Sequence, residues 1–286
     1  MPAETKVLVN DIDNDLTNVA NWDTGNAFTT GDTLIISDGD YVITDNMDLS
    51  ASINDLTIHV EEQFTGQIGT SSLPLKIGGT ATALFYNGSG CKNFHINATM
   101  SECYILGTHP DPDSFTIEGG TTTALFCHGG AGATLRAAGT YTTVIVDGAT
   151  ADLNIENGNT IATIRVPVGI ARSATLITTS HLGNGHLYLT GASKTYVTVN
   201  LESPGARLYL HCPLSVITKI NAWAGTVDGR KGNKKITVTN ADAYSQATLM
   251  YGGHIVEANA ANLFGGARYS GYGSADRKSP MGGVPG

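Results

Sequence analysis

The chain has 286 residues, 14% of them charged, with 35 glycines and a formal net charge of −9. That balance speaks against general nucleic-acid binding, and no apolar run is long enough to cross a membrane as a helix. The charge is graded: residues 1–62 hold 13 acids and one base (Lys6), residues 63–211 hold 8 acids and 7 bases, and residues 212–286 hold 4 acids and 8 bases.

Taken in order, residues 1–30 read as an N-terminal arm or cap. The opening MPAETKVLVN has no apolar stretch of the secretory kind, which gives the expectation of a protein matured in the cytoplasm. Within DIDNDLT, Asp11, Asp13 and Asp15 have the spacing that begins a calcium loop. The sixth position is Leu16 and the twelfth is Trp22, where an EF-hand needs glycine and glutamate, so a plain acidic turn is expected. Residues 31–77 form lead-in turns: GDTLIISDGDYVITDNMDLSASINDLTIHV alternates short aliphatic runs with DG and DN turns.

From residue 78 to 222 the chain is periodic. GGTATALF at 78–85 returns as GGTTTALF at 119–126, 41 residues on. One series of short apolar runs (ALFYN, CYILG, ALFCH, TVIVD, TIRVP, HLYLT, RLYLH) has midpoints stepping by 20, 21, 19, 20, 23 and 21 residues. A second series (FHIN, FTIE, TLRA, DLNIE, TLITT, YVTVN, SVITK) falls about halfway between. Two short strands per unit of about 20 residues are the mark of a parallel β-solenoid, so the 41-residue repeat is two turns. The leucine-rich-repeat frame is missing, and a β-sandwich has no reason to keep a two-strand register. The fold class is therefore all-β, a single parallel β-helix.

Alternation assigns the faces. In the first series Leu84, Leu106, Leu125, Val144, Val146, Leu187, Leu189, Leu208 and Leu210 point inward. The outward column then reads Phe85, Ile105, Phe126, Ile145, Arg165, Tyr188 and Tyr209, an apolar stripe of the kind that is normally covered. The second series turns polar residues outward: His95, Thr116, Arg136, Asn154, Thr198 and Thr218.

Residues 223–286 form a basic segment and an extended arm. Arg230, Lys231, Lys234 and Lys235 make a basic turn, and the Gly-rich end adds Arg268, Arg277 and Lys278, giving a set of cations suited to docking on an acidic partner. Catalytic sets are sparse. His109, Asp111 and Asp113 fall in a Pro-rich turn, and His181 and His186 flank LGNG without a metal-binding spacing. The best enzyme case is Glu118 and Glu156, ending equivalent strands two turns apart with Arg136 between. Their backbones would lie about 10 Å apart, near the spacing of an inverting glycosidase. Cys91, Cys103, Cys127 and Cys212 lack any metal pattern and read as buried free thiols. No cofactor, metal or catalytic residue is assigned.

The lead-in, with its "GD, aliphatic run, DGDY, aliphatic" order, resembles the opening turns of pectate-lyase-like right-handed β-helices and of tailed-phage tailspikes. That resemblance implies a right-handed helix and a homotrimer of parallel rods. With the apolar stripe and the charge gradient, it gives the expectation of a non-enzymatic virion protein. Such a protein is assembled in host cytoplasm, then decorates or cements the capsid, with itself and the major capsid protein as partners. The alternative is a tail fibre or tailspike that binds or hydrolyses host polysaccharide; a bacterial adhesin is the third reading.

Overall fold

The structure is a computed structural model and describes residues 2–9, 13, 15–51, 53–88, 90–107, 115–129, 131–136, 138–232 and 234–271. It is a parallel β-solenoid of about 11 turns, roughly 20 residues each. The chain divides into two compact units, residues 1–160 and 161–286.

In the first unit every turn adds a strand in parallel register to the one before. One inward column runs Lys6, Leu34, Ile58, Leu84, Cys103, Leu125, Val144. A second runs Ile36, Val60, Tyr86, Ile105, Cys127, Val146. A facing wall stacks Ile43, Ile68, Phe94, Phe115, Ala133 and Leu153. These apolar side chains are fully or almost fully buried, so the core is a set of like-on-like ladders. Each buried aliphatic side chain contributes about 1.5–3 kcal/mol by removing its surface from water.

The paired GG motifs serve the corners. Gly79 and Gly120 hold φ of +88° and +91°, a region that L side chains rarely adopt. A Cβ at Gly120 would lie 2.3 Å from the Ala98 carbonyl oxygen, so the turns can stack this closely only without a side chain there.

Lys6 begins its inward column and is 0% exposed. Its ammonium donates to Glu4 Oε2 (2.9 Å) and Thr24 Oγ1 (3.2 Å) and lies 3.8 Å from Asp32 Oδ2. Asp32 is itself buried and accepts from the backbone N–H of Glu4 and of Thr29, both at 2.8 Å. The single base of the acidic segment is thus a structural cation that ties the first strand to the loop 24–32.

In the second unit one wall stacks Ala171, Leu187, Leu208, Val227 and Leu249, and another stacks Leu182, Leu201, Ala222, Ala243 and Leu263. Parallel pairing continues past residue 222, through Val216–Gly229 and Ile236–Tyr251 to the strand Arg268–Gly271. All four cysteines are buried, and none is in a disulfide.

Candidate functional site

The outward column of the first unit reads Val7, Ile35, His59, Phe85, Tyr104, Phe126, Ile145. Four of its members form a continuous stack of rings. His59 and Phe85 have centroids 4.7 Å apart and planes within 8°, Phe85 and Tyr104 5.0 Å and 2°, Tyr104 and Phe126 4.6 Å and 5°. Parallel rungs set this spacing, because strands about 4.8 Å apart place equivalent side chains at ring-stacking distance. The faces of the inner rings are spent on one another. What the column offers to a partner is ring edges, half-buried and in line.

The sequence reading of this column needs two corrections. Ile105 does not point outward: it is 0% exposed and stacks between Tyr86 and Cys127. Leu106 does not point inward and is 42% exposed. The true outward residue of that turn is Tyr104, so the register of CYILG is shifted by one, which exchanges its faces. Phe85, Phe126 and Ile145 are outward as expected, with Leu84, Leu125 and Val144 beneath them.

Tyr188 and Tyr209 also point outward, over Leu187, Leu189, Leu208 and Leu210. Their rings stack at 4.2 Å and 8°, and the Arg172 guanidinium sits 5.5 Å from the Tyr188 ring centre. Within the second unit their column continues to Asp228 and Met250. A further ladder was not anticipated from the sequence: Trp223, Tyr244 and Phe264, stacked at 6.4 and 4.7 Å, with Trp223 48% exposed. Beside it runs a polar column of His181, Asn200, Asn221, Asp242 and Asn262. Asn221 donates to Asn200 Oδ1 (2.9 Å), Asn262 to Asp242 Oδ1 (2.8 Å), and Lys219 pairs with Asp242.

In the second series of the first unit, Thr134, and not Arg136, continues the column of His95, Thr116 and Asn154. His95 and Thr116 are buried rather than exposed. Glu118 is held by its neighbours: Oε1 lies 2.7 Å from His95 Nδ1 and 3.6 Å from the Arg136 guanidinium, and the His95 and Glu118 side chains are about nine-tenths buried. A carboxylate fixed between a histidine and an arginine below the surface is poorly placed to meet a sugar. His109, Asp111 and Asp113 lie outside the described residues, as does Asp11.

At the acidic turn, Asp13 accepts from Asn18 and from the Asp15 N–H, and Asp15 accepts from Thr17 and Asn46. Burial raises the Asp15 pKa, but the Thr17 and Asn46 donors outweigh it and leave the carboxyl below its usual range. These oxygens serve internal donors, and among the described residues no group of three potential ligands converges on one point. A cavity of about 510 Å³ lies nearby, lined by Thr17, Asn46, Leu73, Pro74, and by Asp48 and Lys76, which pair with each other at 2.9 Å.

The basic turn is exposed. Arg230 donates two guanidinium hydrogen bonds to Asp228 (2.7 and 3.0 Å), whereas Lys231, Lys234 and Lys235 make no ion pair among the described residues. Arg268 is exposed; Arg277 and Lys278 lie outside the described residues. No family model, curated protein or solved structure matches this chain.

Proposed function

We propose that this chain is a structural assembly protein, a homotrimeric β-solenoid that decorates and cements the capsid of a tailed-phage virion. The observation that carries the assembly reading is the ring column His59–Phe85–Tyr104–Phe126. Its faces are occupied and its edges stand in a straight row, so it suits packing against a second flat rung surface better than stacking on a ligand. Copies of one rod bury identical stripes around a symmetry axis. The virion assignment comes from the lead-in sequence, and the major capsid protein is the partner proposed for the cations of the basic turn.

Sedimentation of the purified chain tests the first part. A trimer at micromolar concentration is expected, with Phe126→Asp shifting it to monomer while the far-ultraviolet spectrum stays β-rich. A wild-type monomer, unchanged by that substitution, refutes the stripe as an interface. Localisation on the virion tests the second part: many copies on the capsid are expected, and a few copies at the tail tip would favour the alternative.

That alternative, a tailspike or tail fibre that binds polysaccharide, gains support from one observation. Trp223 is the most exposed aromatic residue described, and it lies beside the amide and carboxylate column Asn221–Asp242–Asn262. Saturable binding of host polysaccharide that Trp223→Ala abolishes would establish it.

A further inference from the structure

A separate small, half-open cavity lies in the second unit beside Lys231, Gly232 and Lys234, between the strands Val216–Gly229 and Ile236–Tyr251 in the chain. The loop between these strands is fixed at its base by backbone hydrogen bonds: Leu214 N–H to Lys235 O (2.8 Å), Ile236 N–H to His254 O (3.0 Å) and Gly252 N–H to Gly229 O (3.1 Å). The cavity is about 290 Å³ and is lined by His211, Pro213, Lys231, Gly232, Lys234 and Ile236. That is just below the usual range for drug-sized ligands and suits a smaller one.

Its charge is one-sided. Among the described residues the acid that acts on His211 is Asp228, and Arg230 engages it, which cancels one cation and one anion. Lys231 and Lys234 are left on the wall with no carboxylate partner among the described residues. Burial, and then the Lys231 ammonium, hold the His211 pKa below its usual range, so the imidazole is neutral at pH 7 and offers a single N–H. Gly232 keeps the wall thin: a Cβ there would lie 2.8 Å from His254 Nε2, a buried atom that has no hydrogen-bond partner.

We propose that this cavity is a binding site for a small oxyanion of the phosphate-monoester class, with Lys231 and Lys234 as its counter-charges and His211 as a hydrogen-bond donor. Two unpaired ammonium groups match a dianion in charge, and charge-assisted N–H···O contacts are the strong ones. Pro213 and Ile236 supply an apolar wall for the part of the ligand that carries no charge. The site draws on Lys231 and Lys234, two of the cations assigned to docking in the proposed function; a free solute and a protein surface would compete for them, and a titration of the isolated chain reads the solute alone.

The test is a titration of the purified full chain with inorganic phosphate at constant ionic strength, followed by calorimetry and by ³¹P line broadening. Saturable uptake of one phosphate per chain is expected. Sulfate should compete with it, and chloride should not. The double variant Lys231→Met/Lys234→Met keeps the aliphatic stems and should melt at the wild-type temperature while binding phosphate at least about tenfold more weakly. Lys92→Met, at an exposed lysine of the first unit, should bind as wild type does. The proposal is overturned by no saturation up to about 10 mM phosphate. It is equally overturned by unchanged binding in the double variant, or by chloride competing as well as sulfate.

Discussion

Replacing Ile105 and Tyr104 one at a time distinguishes the two faces of a single strand. Ile105 is 0% exposed between Tyr86 and Cys127, and alanine there deletes three carbons from a closed ladder. At about 0.8 kcal/mol per buried methylene the transfer loss is roughly 2.4 kcal/mol. The cavity left behind brings the expected cost to about 2–5 kcal/mol. Tyr104 is half-buried and stacks on Phe85 and Phe126. Its alanine variant loses two ring contacts of about 0.5–1.5 kcal/mol each, with little cavity formation, so the intramolecular cost is about 1–3 kcal/mol. Its larger effect should fall on self-association. Urea unfolding by circular dichroism, run below the dissociation concentration, measures the first quantity; sedimentation measures the second. If Ile105→Ala is neutral to folding but dissociates the oligomer, while Tyr104→Ala costs more stability, the register is wrong and the outward column is the one with Ile105 in it.

Three further outcomes are expected. Lys6→Ala should destabilise the chain by about 3–5 kcal/mol in denaturant, since it leaves the buried Asp32 carboxylate without its cation; a loss below about 1 kcal/mol would mean that the N-terminal cluster is solvated. Asp32 also gives a pH dependence. Burial raises its pKa, but the donors from Thr29 and Glu4, with Lys6, outweigh it and depress it below the usual carboxylate range. A depressed carboxyl adds stability above its unfolded pKa and loses it as pH falls through the folded value. Acid unfolding should therefore begin below about pH 4, and Asp32→Asn should remove part of that dependence; an unchanged acid limb would refute the assignment. Finally, burial pushes the Cys91 and Cys212 thiols up to about 11 and raises Cys103 as well. The native protein should therefore leave a thiol reagent unreacted at pH 8 and titrate four thiols once unfolded; rapid native reaction would contradict the buried placement.

The solenoid and its period were legible because like residues recur every 19 to 23 positions, and GGTATALF and GGTTTALF occupy equivalent turns through the register Leu84, Cys103, Leu125. The phase of the intervening turn was not legible from apolar alternation alone. Cys103, Tyr104, Ile105 and Leu106 are four apolar residues in a row, so either phase satisfies a hydrophobic core. A signal lay one step earlier: Glu102 must face outward, and Tyr104 shares its face and donates to its carboxylate at 3.1 Å. The ladder of Trp223, Tyr244 and Phe264 is not legible in the alternation because Trp223 sits at the irregularity between Ala222 and Ala224, where the period of two breaks. The buried Lys6 had only its isolation among 13 acids to mark it.

Parallel stacking also limits what such columns can do. A sugar ring binds an aromatic residue through its face, and in this chain the register places ring upon ring at 4.2–5.0 Å for His59, Phe85, Tyr104, Phe126, Tyr188 and Tyr209. Faces are then available only where a ladder ends or is widely spaced, and the one wide gap described is the 6.4 Å between Trp223 and Tyr244. The same rungs that remove faces line up edges, and a straight row of apolar edges at strand spacing is complementary to another row of the same kind. Under the proposed function, assembly is therefore assigned to the closely stacked columns. Of the ladder ends, Trp223 is the most exposed, so under the polysaccharide alternative it is the ring face to test: losing binding in Trp223→Ala without losing the oligomer would separate the two proposed roles in a single substitution.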